Sequence, residues 1–495
     1  MKQIASTPTA LTIMMLLAGC TVGPKYARPS VPTAPADAFK EVGGWKTAQP
    51  SDQLQRGAWW EMFGDSQLNA LEDELTRSNQ DLKVAQARFQ QARALIRFNR
   101  ASEFPTITTA PGIASIRDSA NRPYFNTTSS TGDFVLPFDL SYELDVWGRV
   151  RRTVAASREE AQATAGDLET VSLSLHAELA LDYFELRSAD AQKQLLDDTV
   201  KAYQDALQLT INRFDGGAAP KSDVAQARTQ LEATMVQDTD VSVARAQFEH
   251  TIAILIGKPP AAFTLAPSPL NVQPPIISVG LPSQLLERRP DVAAAERRVV
   301  ESNEQIGIAR AAFFPTIILS ASAGFEGNSI ANWFSWPSRF WAVGPSTLET
   351  LFDAGRRHAT SQVALANYDA TVATYRETTL TALQQVEDNL AALRILEQEA
   401  QQQKDATASA QESLQVFTDR YIGGADPYLQ VLTAQTIDLQ NERNDVDILR
   451  RRMDASVLLI KALGGGWNAS QLPTATQLGQ GGKGQAQQNV PKSGS

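Results

Sequence analysis

The sequence of 495 residues has one cysteine, Cys20, and only three histidines, His176, His250 and His358. One cysteine excludes an intrachain disulfide and any multi-cysteine metal centre. The histidines are scattered, with no spacing that would gather ligands on one helix face. Positive charge is in deficit: 45 Lys and Arg stand against 55 Asp and Glu, a net charge of −10. That balance argues against nucleic acid as the main partner, because phosphate neutralisation asks for a basic face. Beyond the N-terminus, no run reaches the roughly 20 apolar residues of a spanning helix. A nucleophile motif and a phosphate-cradling loop are also missing, so the chain does not read as an enzyme. The charged group Glu287, Arg288, Arg289 and Asp291 surrounds Pro290. It reads as a helix start, with proline near the first position and an acid in the first turn.

Two long stretches lack helix breakers. Arg149 to Phe214 has no proline and one glycine, Gly166; the stretch from Arg356 to Tyr421 has neither residue type. Each predicts a helix of roughly 60 residues, about 90 Å long, where 10–14 residues are usual. Their faces are rich in Ala, Gln and Thr, with sparse apolar residues. Such helices pack along a narrow coiled-coil seam and stay wet elsewhere.

The termini are distinct from the body. Lys2 precedes the apolar run "LTIMMLLAGC", which is too short to span a bilayer and reads as a signal peptide over 1–19. Leu17-Ala18-Gly19-Cys20 looks like a bacterial lipobox. In that pattern the thiol is lipidated and Cys20 becomes the mature N-terminus. Thr21 follows where Asp would retain the protein at the inner membrane, which implies delivery to the outer membrane. The covalent lipid on Cys20 is the only non-protein group expected. Residues 20–64 are rich in Pro and Ala and predict an extended tether. Residues 467–495 are rich in Gly, Gln and Ser and predict a disordered tail.

The body repeats itself. "RFDGGAAPKSDVAQARTQL" from Arg213 returns 207 residues later as "RYIGGADPYLQVLTAQTID" from Arg420. Both halves, 65–280 and 281–466, read helix, strand, strand, long helix, break, long helix. Phe104-Pro105-Thr106-Ile107 matches Phe314-Pro315-Thr316-Ile317, where the proline ends a helix and a strand begins. Strands are expected within about 105–147 and 315–352, and long helices over about 149–256 and 355–463. In the first half Phe134, Leu136, Phe138, Leu140, Tyr142 and Leu144 alternate with Asp139, Ser141, Glu143 and Asp145, giving two faces of opposite character. In each copy of the repeated segment the Gly-Gly pair ends a long helix, because glycine takes the positive φ of a C-terminal cap. Pro220 or Pro427 then stands near the start of the returning helix.

These pieces fit together only as an assembly. Four strands do not close a barrel, and open sheet edges are not viable in lipid. Strands from other copies must complete it. Long helices wet on both sides form a wall, so the fold class is α+β: an oligomeric β-barrel continued by an α-helical tube.

With "LAGCTVGPKY", "WWEMFGDSQLNAL", "YELDVWGRVRR", "LPSQLLERRPDVAAAE", "ARAAFFPTI", "LFDAGRR" and both Gly-Gly segments, nearly the whole chain resembles the TolC-like outer-membrane efflux channels. The closer likeness is to their lipoprotein, NodT/OprM-like branch. The resemblance implies a homotrimer with four strands per protomer in a twelve-stranded barrel and a twelve-helix periplasmic tunnel. It implies a cell outer-membrane location, and a periplasmic adaptor and an inner-membrane efflux pump as partners. It places Gly216, Gly217, Pro220, Gly423, Gly424 and Pro427 at the periplasmic tip, where the tunnel closes. Asp223 and Tyr421 match a polar latch between neighbouring hairpins. Leu429 matches an apolar constriction. Gln430 and Thr433 stand where many relatives carry an acidic ring, so a weaker cation preference at the tip is expected. Asp426 is the remaining acid at that turn, as a substitute for the ring or as a solvated cap. The rival reading is a lipid-anchored coiled-coil adaptor or scaffold. Membrane-length strand pairs in both halves argue against it, as does the segment Trp333–Trp341, which suits an interfacial girdle.

Overall fold

The computed structural model describes residues 22–30, 39–42, 57–117, 119, 121, 130–277 and 285–479. The expected signal peptide and Cys20 lie outside the described residues, as do residues 480–495.

The first half contains α1 (Ser66–Ser78), α2 (Gln80–Ala101), β1 (Thr106–Thr109), β2 (Gly112–Ile116), β3 (Thr131–Glu143), α3 (Arg149–Asp215) and α4 (Lys221–Leu255). The second contains α5 (Pro290–Ala311), β4 (Thr316–Gly327), β5 (Arg339–Leu348), α6 (Arg356–Ile422) and α7 (Tyr428–Ala462). Matched helices have equal lengths: 22 residues in α2 and α5, 67 in α3 and α6, 35 in α4 and α7. At 1.5 Å per residue α3 and α6 are each about 100 Å long. Each starts at a glycine with positive φ, Gly148 at 83° and Gly355 at 86°. An aspartate clasps each start: Asp145 accepts from the Val150 and Arg151 amides, and Asp353 from the Gly355 and Arg357 amides. Gly166, inside α3, lets α5 approach. A Cβ there would lie 2.9 Å from the Pro290 carbonyl oxygen.

The sheet runs β1/β2–β3–β4–β5, all antiparallel, and joins the two halves through β3 and β4. The first stave is broken, which the sequence reading did not anticipate. β1 and β2 both pair with β3, and the register carries straight through the gap between them. Pro111 lies in that gap and Pro137 lies opposite it in β3; neither has an N–H to give to the ladder. The last strands also end early, at Glu143 and Leu348 rather than at Trp147 and Phe352.

Side chains sort by face. One face carries Ile107, Ile113, Phe134, Leu136, Phe138, Leu140, Leu319, Phe325, Trp341 and Val343. The other carries Thr106, Thr108, Asp133, Asp139, Ser141, Ser320, Ser322, Glu326 and Ser346. Beneath the sheet the halves are tied again. Trp147 stacks on Phe314 with centroids 4.6 Å apart and donates from Nε1 to the Pro315 carbonyl at 2.8 Å.

The main core lies midway along the long helices. There Leu179, Phe184 and Leu186 of α3 meet Leu68 and Leu75 of α1, Val386 and Leu390 of α6, and Leu459 and Ile460 of α7. Two expectations are corrected here. The segment up to residue 64 is not all tether: Trp59–Phe63 forms a short 3₁₀ turn whose Trp59, Trp60 and Phe63 are buried in this core. The tail does not begin at 467, since Trp467 is buried and Leu478 packs against Ala92, Ile96 and Ala161. Both segments cover apolar surface that the helices alone leave open. Residues 22–30 of the described tether, by contrast, carry no helix or strand, while Lys40–Val42 form a further 3₁₀ turn beside the buried Phe39. Val22 donates to the Trp147 carbonyl at 3.2 Å, Arg28 pairs with Glu296 at 2.8 Å, and Glu41 pairs with Arg394 at 2.6 Å.

Burial also raises the pKa of an acid on α3. The Asp182 carboxyl is pushed up to about 7, first by burial and then by Glu178 and Glu185. Its Oδ2 is buried without a hydrogen-bond partner. An acid whose folded pKa exceeds its unfolded value favours folding when protonated. That benefit is full below pH ~4 and is lost as pH rises to about 7. Asp182→Asn is therefore expected to stabilise the protein at pH 8 by about 1–2 kcal/mol, once screening on the open side is allowed for. At pH 4 it is expected to change nothing. Unfolding midpoints at the two pH values check this; equal shifts at both would refute it.

Candidate functional site

The repeated segments build two matching turns. After α3, Gly217 donates to the Phe214 carbonyl at 2.9 Å and Ala218 to the Arg213 carbonyl at 2.7 Å. After α6, Gly424 donates to Tyr421 at 3.0 Å and Ala425 to Arg420 at 2.9 Å. This is the Schellman pattern, which satisfies the last carbonyls of a helix. It demands a left-handed residue at one position only. Gly217 has φ 73° and Gly424 has φ 77°, whereas Gly216 and Gly423 have φ −78° and −70°. Thus the second glycine of each pair is the conformational requirement. Pro220 and Pro427 are N-caps with near-identical backbone angles, and their carbonyls accept from Asp223 and Gln430.

The side chains at the turns are not symmetric. Arg420 forms a two-pronged ion pair with Asp426, at 2.5 and 3.1 Å, which closes its own turn. The hydrogen bond from Arg420 holds the Asp426 carboxyl below its ordinary value. Asp426 is therefore committed to the turn and is not a free member of an acidic ring. In the first copy Ala219 occupies the matching place, so Arg213 has no such acid. Instead its Nη1 crosses to the Ile422 carbonyl at 2.8 Å, and its guanidinium lies 4.7 Å from the Tyr421 ring centroid. Arg213 thereby fastens the first hairpin to the second.

Tyr421 is buried in a small cluster with Ala227, Tyr428 and Val431. Its ring meets Tyr428 edge-on at 5.3 Å. The Tyr421 hydroxyl is buried without a hydrogen-bond partner among the described residues. Hence the expected Tyr421–Asp223 hydrogen bond is not made within one protomer. Asp223 is half-buried, with Ser222 Oγ at 3.4 Å, and its charge faces Tyr428. Burial, then Tyr421, Tyr203 and Asp223, push the Tyr428 hydroxyl up to about 12. Leu429, Gln430 and Thr433 are exposed on one side of α7, and Ile437 continues their row.

Sequence reading missed Arg213 and Tyr428 as tip residues. The available signal for Arg213 was its conservation between the two copies combined with the Ala219/Asp426 difference. The charged group near Pro290 is structural: Arg289 grips Asp291 at 2.7 Å, Gln385 at 2.9 Å and the Ala462 carbonyl at 3.0 Å. Among the described residues no group of three or more His, Cys, Asp or Glu is placed to hold a metal. No described helix is long and apolar enough to cross a membrane.

Known proteins share this architecture. The family model for outer membrane efflux proteins matches residues 71–258 and again 281–465, one match per half. The chain is 31% identical over 482 residues to the probable efflux pump outer membrane protein SepC of Pseudomonas putida, covering 94% of this chain and 98% of that protein. It is 31% identical over 472 residues to outer membrane protein OprJ of Pseudomonas aeruginosa, covering 94% and 97%. The solved outer-membrane channel OprN superimposes with a TM-score of 0.85 at 29% identity, over 90% of this chain and 100% of that one. The open-state MtrE outer membrane channel of Neisseria gonorrhoeae superimposes with a TM-score of 0.78 at 25% identity, over 91% and 99%. With matched halves, a membrane-type sheet and a hairpin tip all in place, the chain belongs to the outer membrane efflux protein family and is an outer-membrane efflux channel protein.

Proposed function

We propose that three copies of this chain form one passive exit duct, with no enzymatic step, in a tripartite efflux system. Each copy contributes four staves to a twelve-stranded barrel and its long helices to a periplasmic tunnel. A periplasmic adaptor docks at the hairpin tip, and an inner-membrane pump delivers the cargo. The observation that carries this reading is the sheet itself. It has an apolar face, a polar face and two open edges, β1/β2 and β5. In lipid such edges have to be paired, and a ring of copies pairs them. Relatives named for toluene efflux make small organic molecules the proposed cargo. The matching turns support a tip that closes and docks, with Asp223, Tyr421, Leu429, Gln430 and Thr433 as gate residues.

The lipid anchor on Cys20 is part of the proposal. Val22 is hydrogen-bonded to Trp147, where strand passes into helix. Two residues of chain reach about 7 Å, so acyl chains on Cys20 would enter the leaflet at the base of the barrel. The decisive experiment is the native mass of the detergent-extracted, lipid-bearing protein together with its conductance in planar bilayers. A trimer that conducts is expected. A monomer that stays soluble without detergent would refute the duct and leave a lipid-anchored scaffold.

A further inference from the structure

We infer that Asp139 sets the charge preference of the duct, from the wall of the barrel and not from its tip. The inference rests on the trimeric-duct reading above. The register puts Thr108, Asp139, Ser322 and Ala342 side by side across the sheet, on the polar face. Their neighbours one residue away, Phe138 and Leu140, belong to the apolar face. About 13 Å of strand separates Asp139 from Glu143 at the helix junction, which places it at membrane depth. A carboxylate there is tolerated only toward water. Asp139 is exposed, and no described residue forms an ion pair with it. Glu143, at the base of the same face, is neutralised by a two-pronged bond from Arg149 at 2.9 and 2.5 Å.

No Lys, Arg or His occurs on the polar face of the described strands. Besides the Arg149-paired Glu143, the other charges on that face of the described strands are Asp133 and Glu326, nearer the far end of the sheet. In a threefold barrel, Asp139 becomes a ring of three carboxylates flanked by Ser and Thr hydroxyls. Such a ring concentrates cations and repels anions in a low-dielectric wall. At the tip, Gln430 and Thr433 are uncharged and Asp426 is neutralised by Arg420. Asp139 is thus the unpaired strand carboxylate nearest the helix junction, with Asp133 and Glu326 adding to the negative field toward the far end. The favoured permeants are inorganic and organic cations, amine-bearing molecules among them.

Reversal potentials under a KCl gradient test the assignment in the parent, Asp139→Asn and Asp139→Lys. The parent is expected to prefer K⁺ over Cl⁻ several-fold. Asp139→Asn, nearly isosteric, is expected to lower that preference at least twofold with conductance retained, Asp133 and Glu326 supplying the remainder; Asp139→Lys is expected to lower it further. Asp133→Asn serves as a second variant with a smaller expected shift, should the lysine variant fail to assemble. A conducting parent with no cation preference, or an Asp139→Asn channel as selective as the parent, overturns the assignment. A parent trimer that never conducts overturns the duct reading itself, a separate outcome.

Discussion

Arg213→Ala is expected to raise the conductance of the resting channel at least tenfold. Arg213 supplies the one charged hydrogen bond described from the first turn to the second, to the Ile422 carbonyl, and it caps the face of the Tyr421 ring. A hydrogen bond from a charged donor contributes about 1.5–3 kcal/mol, and a cation over an aromatic ring about 0.5–1 kcal/mol. Losing both costs about 2–4 kcal/mol per protomer. If the three hairpin pairs open together, the sum is on the order of 6–12 kcal/mol. Some 5.5 kcal/mol suffices to turn a 1:99 equilibrium into 99:1. Arg420→Ala is the matched control. Arg420 is fastened to Asp426 inside its own solvent-facing turn, so its loss frays one turn without parting the hairpins. Single-channel conductance and uptake of a bulky antibiotic by cells check the pair. Equal behaviour of the two variants would remove Arg213 from the gate.

The features legible in the sequence were those fixed by local rules. Asp65, read as the start of the first half, is the N-cap of α1 and accepts from the Gln67 and Leu68 amides. The absence of breakers gave α3 and α6 to within a residue or two, because nothing inside them opposes the helix. The alternation from Phe134 to Tyr142 gave both faces of β3, since a period of two admits one orientation. Other features required knowledge of a distant partner. The break at Ala110-Pro111 matters because Pro137 lies opposite Ala110 in the register of the ladder. Trp59 and Leu478 sit in segments of tether-like or tail-like composition, yet helices far away in sequence supply the surfaces that bury them. The same holds at the tip. Arg213 and Arg420 are equivalent in the repeat, but Ala219 and Asp426 send them to different partners. Duplication copied the turn, and divergence at one position then divided the labour between the two copies.

Gly324→Val is expected to abolish barrel assembly while leaving the helices intact. Gly324 faces Pro137 at the centre of the β3–β4 pairing. A Cβ at this position would overlap the Leu136 carbonyl oxygen and lie 3.0 Å from Pro137 Cα. Both obstacles are backbone, so no rotamer relieves them. β4 cannot step aside either, because β5 holds its other edge through ten paired positions from Thr316 to Phe325. The halves meet only through this pairing in the sheet. Overpacking at such a point costs about 3 kcal/mol, repeated in every protomer of the proposed ring. Gly344→Ala is the control, since a Cβ there meets nothing within 4 Å. The measurement is the fraction of protein that runs as a heat-modifiable assembly, alongside the helical circular dichroism signal. Loss of the assembled band with helicity retained is expected for Gly324→Val and parent-like behaviour for Gly344→Ala. A Gly324→Val protein that assembles as well as the parent would mean that the β3–β4 pairing does not hold the two halves of the barrel together.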